Sequence, residues 1–391
     1  MTDRLGKATS VNTITRLLSE KKALENRLKQ SYSSANWKSE KDAISKMKNN
    51  SKAFFSFAKK RQKTRARIGP FIDPSTGKPN QSPAYAAEVL RQQYNSVFSQ
   101  PRPQWTVSDS ESFFKGEESD VNKLFNIEFN HVDIELACDE LHGNSAPGPD
   151  GVPALLLKEC RKELSHPLAV FWRASLDQGV IPDELLLVQI CPLHKGGSRS
   201  DPANFRPVAL TSHLIKTFER VVRKVLVRHL EHCGAFPDGQ HGSRAQRSTV
   251  TQLLAHWDSV LADLEQQAGS DIVYLDFSKA YDKCETGVLL HKMKEAGIMG
   301  KVGMWMAAFL DPNHRQQAVV VDGTMSALSQ VISGVPQGTV TAPILFLLMI
   351  SDIAEGVSPN TRVSSFVDDT RVKRCIKDPN TDCQELQGDL Q

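Results

Sequence analysis

Two adjacent aspartates, Asp368 and Asp369, sit between short β-branched and aromatic runs in SSFVDDTRV, residues 364–372. Like charges side by side repel, and the flanking pattern reads as a hairpin, RVSSFVDDTRVKRCI, with both carboxylates at its bend. A second run, DIVYLDF (271–277), is bounded by polar residues and reads as a buried strand with Asp276 near its end. About ninety positions separate Asp276 from the pair. Only a sheet that sets these strands side by side brings the three carboxylates together. Gathered at one spot they repel strongly unless a cation sits among them. Hard divalent ions such as magnesium take oxygen ligands and keep positions open for phosphate oxygens. Two such ions roughly 4 Å apart can activate an attacking oxygen and stabilise a departing one. The plainer reading is turn chemistry, because aspartate supports turns through its own backbone. The aspartates alone leave both readings open.

The other features bound the answer. The 391 residues suffice for two or three domains. The beginning, MTDRLGKATS, has no apolar core of the kind a secretory leader needs. The apolar run VTAPILFLLMI (340–350) is interrupted by Pro343 and too short to span a bilayer. The seven cysteines show no CxxC pair, which argues against a disulfide framework or a zinc site. These features predict a soluble intracellular protein with no membrane association; nucleus and cytoplasm are not distinguished. Residues 1–67 hold 18 Lys and Arg against 5 Asp and Glu, whereas the rest holds 30 bases against 40 acids. A basic arm on a mildly acidic body suggests contact with a polyanion, or else a solvated helical surface.

The pattern predicts helix over 10–66 and 86–98, a connection at 69–83, and an acidic linker at 101–130 as the main boundary. The expected organisation is a basic helical extension at 1–100, that linker, and a larger domain over 131–391. SAPGPDGVP (145–153) reads as a rigid turn. Helices are expected at 153–164, 167–178, 213–233 and 248–266, and a strand in LLVQICPLHKGG.

LDFSKAYD resembles motif A of reverse transcriptases, SGVPQGTVTAPILFLLMISDI their motif B, and FVDD their motif C. Upstream, SAPGPDGVPALLLK, PLHKGGSRSDPANFRPVALTS and QHGSRAQRSTVTQLL resemble the finger and early palm motifs of non-LTR (LINE-type) retrotransposon enzymes, the jockey-like group in particular. The resemblance covers roughly residues 50–375 in the family's order. It implies an α+β right-hand polymerase with fingers and an antiparallel palm sheet, preceded by the helical extension. The implied activity is RNA-directed DNA polymerisation with two Mg2+ ions (or Mn2+), using an RNA template, a DNA primer and dNTPs. By position, Asp276, Asp368 and Asp369 become the catalytic, metal-binding carboxylates, with the Phe277 carbonyl as a further metal ligand. Tyr281 becomes the aromatic beneath the incoming sugar that disfavours ribonucleotides. Lys195 and Arg206 would hold the triphosphate, since arginine's fork suits phosphate oxygens. Gln337 and Gly338 would line the nucleotide pocket, and Lys59, Lys60, Arg61 and Lys63 would track nucleic-acid phosphates. Asp282 is expected to brace the motif A turn.

Against the family pattern, motif C carries Val367 where alanine is usual, KCET follows Tyr281, and Ser243 stands where an aromatic is usual. No thumb segment or endonuclease is recognised. Three readings therefore stand: a polymerase domain, an inactive truncated remnant that only binds nucleic acid, and a two-metal nuclease.

Overall fold

The computed structural model describes residues 68–391 except 118, 119, 121 and 336, together with helical positions scattered between Ser19 and Ser45. The chain divides into two units, Met1–Arg67 and Ile68–Gln391. In the first, the Lys41 ammonium lies 4.2 Å from the centre of the Trp37 ring. Lys59, Lys60, Arg61 and Lys63, expected to meet phosphates, lie outside the described residues.

The second unit is mixed α+β. After the small pair β1 (Phe71–Ile72) and β2 (Pro79–Asn80) come α1 (Pro83–Asn95), α2 (His131–Asp139) and α3 (Arg161–Gln178). Next are β3 (Val188–His194), β4 (Phe205–Leu210), α4 (His213–His232), α5 (Thr249–Glu265) and β5 (Gly269–Leu275). Then follow α6 (Thr286–Glu295), α7 (Gly300–Leu310), β6 (Gln316–Val321), β7 (Thr324–Met325) and β8 (Ser329–Gln330). The chain continues with α8 (Ala342–Met349), β9 (Thr361–Phe366), β10 (Asp369–Ile376) and α9 (Pro379–Asp389). One sheet has the order β4-β3-β6-β7, with β8 also on β6; β3 runs parallel to β6 and antiparallel to β4. The other, β5-β10-β9, is antiparallel throughout.

The main core is built on α4. Ser212 accepts the Leu214 N–H and starts the helix. Ile215, Phe218, Val222, Leu226 and Leu230 then recur at helical spacing and are all buried. Phe218 stacks on Trp172 of α3 at 5.2 Å and meets Trp305 of α7 edge-on at 5.1 Å. Each such side chain contributes on the order of 1.5–3 kcal/mol by leaving water. A second core joins α1 to the mixed sheet through Leu90, Phe71, Phe205 and Val319.

Two expectations are revised. The 101–130 stretch is no free linker, because Phe114 and Ile127 are buried in the main core and Arg102 pairs with Glu285 at 2.6 Å. Asp109, Glu111, Glu117 and Glu128 remain exposed while the apolar residues Phe114 and Ile127 anchor the stretch. The DIVYLDF strand is not buried: β5 is an edge strand of its sheet, and Tyr274 is 65% exposed.

The rigid turn at 145–153 has a definite seat. Asp150 accepts from Ser212 at 2.6 Å and from the Val152 N–H at 3.1 Å, and so ties the turn to the start of α4. Helix α5 is unusual in its polarity. Gln252, His256, Ser259 and Asp263 face inward, while Val250, Leu254, Trp257, Leu261 and Leu264 are exposed.

Candidate active site

The register of the antiparallel sheet decides where the aspartates go. Thr370 pairs with Leu275, the last paired residue of β5, so Asp276 leaves the strand at the end where β10 begins. Phe366 pairs with Asp369, which leaves Val367 and Asp368 as the two-residue turn between β9 and β10. All three carboxylates therefore share one end of the sheet. Asp276 and Asp369 are exposed and Asp368 is half-buried. Their oxygens have the chemistry a hard divalent cation takes. Even so, among the described residues no three or more His, Cys, Asp or Glu side chains are grouped to hold a metal ion. The site is an open arrangement of donors.

The turn that follows Asp276 is held by the chain leading into α8. Val335 N–H donates to the Tyr281 carbonyl at 3.0 Å, Ser333 Oγ to the Asp282 carbonyl at 2.7 Å, and Gly334 N–H to the Cys284 carbonyl at 2.6 Å. Gly334 has φ +89°, and a Cβ there would lie 2.9 Å from the carbonyl oxygens of Tyr281 and Asp282. No other residue fits that approach. The Tyr281 ring stacks on Phe346 of α8 at 4.5 Å. Its hydroxyl is pushed up to about 12, by burial first and then by the negative charge of Asp368.

Asp282 accepts from Gln337 Nε2 at 3.1 Å. Burial raises its pKa, opposed by Lys279, by the Gln337 hydrogen bond and by Lys195. Gly338 has φ +94°, and a Cβ there would lie 2.7 Å from the Ala209 carbonyl, so this loop lies directly against β4. Arg206 is on the same strand, opposite Leu193, and Lys195 follows at the end of β3. The Lys195 ammonium is pulled below its ordinary value by desolvation and by the charges of Lys279 and Arg206, against Asp282 and Asp276. Lys195 thus lies within electrostatic reach of Arg206, Lys279, Asp282 and Asp276.

Four contributors escaped sequence reasoning. Lys279 belongs to LDFSKAYD, yet nothing in the pattern gave it weight over other exposed bases. Buried Arg315 donates to the Gly334 carbonyl at 3.0 Å. Glu219, fully buried, accepts from Val340 N–H, Thr341 N–H and Thr341 Oγ1, and so caps α8 from α4. Gln240, 2% exposed, bonds the Val367 backbone. Arg315, Glu219 and Gln240 each act through a partner distant in sequence, which no local pattern encodes.

Bases within electrostatic reach of carboxylates suit a polyanionic substrate that arrives with a cation. Comparison with known proteins supplies the family. The model for "Reverse transcriptase (RNA-dependent DNA polymerase)" matches residues 193–385. The probable RNA-directed DNA polymerase from transposon X-element of Drosophila melanogaster is 27% identical over 250 residues, 62% of this chain and 27% of that protein. The RNA-directed DNA polymerase from mobile element jockey of the same species is 28% identical over 234 residues, 58% of this chain and 25% of that one. A Pol polyprotein from the type-1 retrotransposable element R2 of Popillia japonica is 22% identical over 209 residues, 54% of this chain and 28% of that one. An apo telomerase structure from Candida tropicalis has a TM-score of 0.38 at 12% identity, covering 58% of this chain and 51% of that one. The match to the reverse transcriptase model thus covers just under half of the chain, and the relatives the chain resembles come from transposons and retrotransposable elements. The chain spans about a quarter of the length of these relatives. No described helix is long and apolar enough to cross a membrane.

Proposed function

We propose that residues 68–391 supply the fingers and palm of an RNA-directed DNA polymerase that adds dNTPs to a primer annealed to an RNA template. The observation that supports this reading is the pairing of Thr370 with Leu275, which brings the end of β5, followed by Asp276, alongside the start of β10 and the Asp368 turn, in the segment the family model matches. In this reading the β5-β10-β9 sheet is the palm, and the β3–β4 hairpin with Lys195 and Arg206 belongs to the fingers.

The oxygens of Asp276, Asp368, Asp369 and the Phe277 carbonyl would hold Mg2+ (or Mn2+). When bound, such ions lower the pKa of the primer hydroxyl and offset charge on the departing pyrophosphate. The protein's own residues do the positioning. Lys195 and Arg206 draw in the triphosphate, and Gln337 and Gly338 shape the wall against which the base pair rests. The Tyr281 ring, fixed by Phe346, stands beneath the sugar and clashes with a 2′-hydroxyl. The primer 3′-oxygen then attacks the α-phosphorus, a P–O bond forms, and pyrophosphate leaves as the bond to the β-phosphate oxygen breaks. Positioning and charge neutralisation supply most of the acceleration, as in phosphoryl transfer generally.

A second reading, binding of nucleic acid without synthesis, is favoured by one observation: the three carboxylates form no closed ligand group. Primer extension on an RNA template with Mg2+ and dNTPs separates the two. Asp368→Ala is expected to lower incorporation by at least roughly 10²-fold while leaving RNA affinity unchanged. No incorporation by the wild-type chain, with salt-sensitive RNA binding intact, would establish the second reading instead.

A further inference from the structure

The Asp368 turn is built from a residue that ought not to be there. In a two-residue hairpin turn with positive φ at the first central position, glycine is the usual occupant. Here that position is Val367, with φ +59°. A β-branched side chain makes this conformation unfavourable, so the surroundings must impose it.

They do so through one side chain. Gln240 Oε1 accepts the Val367 N–H at 3.0 Å and the Gly242 N–H at 2.8 Å. Gln240 Nε2 donates to the Val367 carbonyl at 3.2 Å. Two backbone donors on one side-chain atom settle which end of the amide is oxygen. The segment carrying Gln240 is itself fastened to β9. Ser365 N–H donates to the Gly239 carbonyl at 2.9 Å, and His241 N–H donates to the Ser365 carbonyl at 2.8 Å. Two glycines permit this approach. A Cβ on Gly239 would lie 2.1 Å from the Val363 carbonyl oxygen, and one on Gly242 would lie 2.5 Å from Val367 N and Cγ2. Arg244, in a two-pronged pair with Glu231 at the end of α4, donates to the Pro237 carbonyl and anchors the far side of the segment.

We infer that Gln240 is a positioning residue: it clamps both backbone polar groups of Val367 and so sets the direction in which Asp368 presents its carboxylate. The inference rests on the reading in which Asp368 belongs to the reacting centre. The clamp itself is a statement about the turn and can be judged without turnover. Asp368 is joined to Val367 by one peptide plane, so rotation about the Val367 backbone swings the carboxylate relative to Asp276. A displacement of about 1 Å at a reacting group is worth roughly 10²-fold in rate.

The test uses the full chain and four forms: wild type, Gln240→Met, Val367→Gly, and the double variant. Methionine keeps the volume of glutamine and removes its hydrogen bonds. Glycine accepts positive φ without help. Hydrogen exchange over residues 364–370 is expected to speed up roughly tenfold in Gln240→Met, with α7 unchanged, and to return most of the way in the double variant. In primer extension, kcat is expected to fall roughly 10–10²-fold with KM for dNTP nearly unchanged, and Val367→Gly is expected to restore at least half of that loss on a logarithmic scale. A purely structural glutamine would predict a loss that glycine at 367 does not repair. Unaltered exchange at the turn, or a defect equally large with glycine at 367, overturns the inference. A wild-type chain that extends no primer defeats the polymerase reading, and the exchange measurement still decides whether Gln240 holds the turn.

Discussion

The surroundings of Phe218 and the surroundings of β10 are held together by opposite means. Around Phe218, α3, α4 and α7 meet through Trp172, Trp305, Leu176 and Val222, with aromatic contacts near 5 Å. Around β10, the helices are held by charge. Lys373, 5% exposed, reaches Asp263 at 2.5 Å and Ser259 Oγ at 2.7 Å on α5. The next residue, Arg374, points to the other face and meets Asp382, Glu385 and Asp389 of α9, a helix with Leu386 as its one buried residue. Apolar packing is tolerant of small shifts, whereas paired charges are not. A one-residue slip of β10 would turn Lys373 toward α9 and Arg374 toward α5. It would also misalign Asp369 with Asp276. The sheet that carries the candidate site therefore has its register fixed by directional contacts, at less cost in tolerance than in burial.

The largest expected effect tests whether the two regions share one folding unit. Trp305 is fully buried, edge-on to Phe218, and donates to Ser175 Oγ at 3.1 Å. Trp305→Ala should cost about 3–5 kcal/mol and lower the denaturant midpoint of the whole unit. A sheet that keeps its own midpoint in that variant would break the comparison into two independent domains.

Arg374→Met should act locally. It leaves three carboxylates without their cation, although Glu385 can turn to water, so a cost of roughly 2–3 kcal/mol is expected. Hydrogen exchange should rise over 361–389 and stay level in α7. Uniform loosening across the unit would show that the charged contacts serve the whole fold rather than the sheet.

Acid should separate the regions by sign. Burial raises the Asp263 carboxyl, but hydrogen bonds from Lys373 and Ser270 outweigh it and leave the group below its ordinary 3.8. Asp382 is lowered by the backbone N–H groups of Asp378 and Lys377. Asp389 also stays below 3.8, because Thr361 and Ser358 overcome its burial. A depressed carboxylate stabilises the fold above its unfolded value, and that contribution is lost as pH falls through the folded value. Glu219 is the reverse. Burial raises its pKa, so its favourable contribution is complete below 4.5 and is lost as pH rises through the folded value. On acidification from pH 5 toward pH 3, pepsin should cut first within α9 while the α4 region holds.

The smallest effect belongs to the buried carboxylate. Glu219→Gln keeps an acceptor for the start of α8 and removes the charge, so stability at pH 7 should rise by up to about 1 kcal/mol. The gain should shrink toward pH 4. A gain that is equal at both pH values would mean that folding does not raise the Glu219 pKa.

Local pattern made much of this legible. The helices at 213–232 and 249–265 and the hairpin at 361–376 lie where apolar periodicity and turn residues place them. PGPDG reads as a rigid turn because proline and glycine restrict the backbone wherever they stand. The 101–130 stretch misleads because composition averages over a window, whereas Phe114 and Ile127 act singly. The polarity of α5 was hidden for a related reason: its spacing marks an amphipathic helix, and spacing does not say which face turns inward.

Residue order by itself determined the helices at 213–232 and 249–265 and the hairpin with Asp368 in its turn, because these depend on neighbours a few positions away. Tertiary structure alone decided that Thr370 pairs with Leu275, that Lys195 comes near Asp276, and that Gln240 holds Val367 from 127 positions away. Such contacts are chosen by the packing of the whole unit, in which each pair is one of many the same side chains could make. No stretch of the chain states which one is realised.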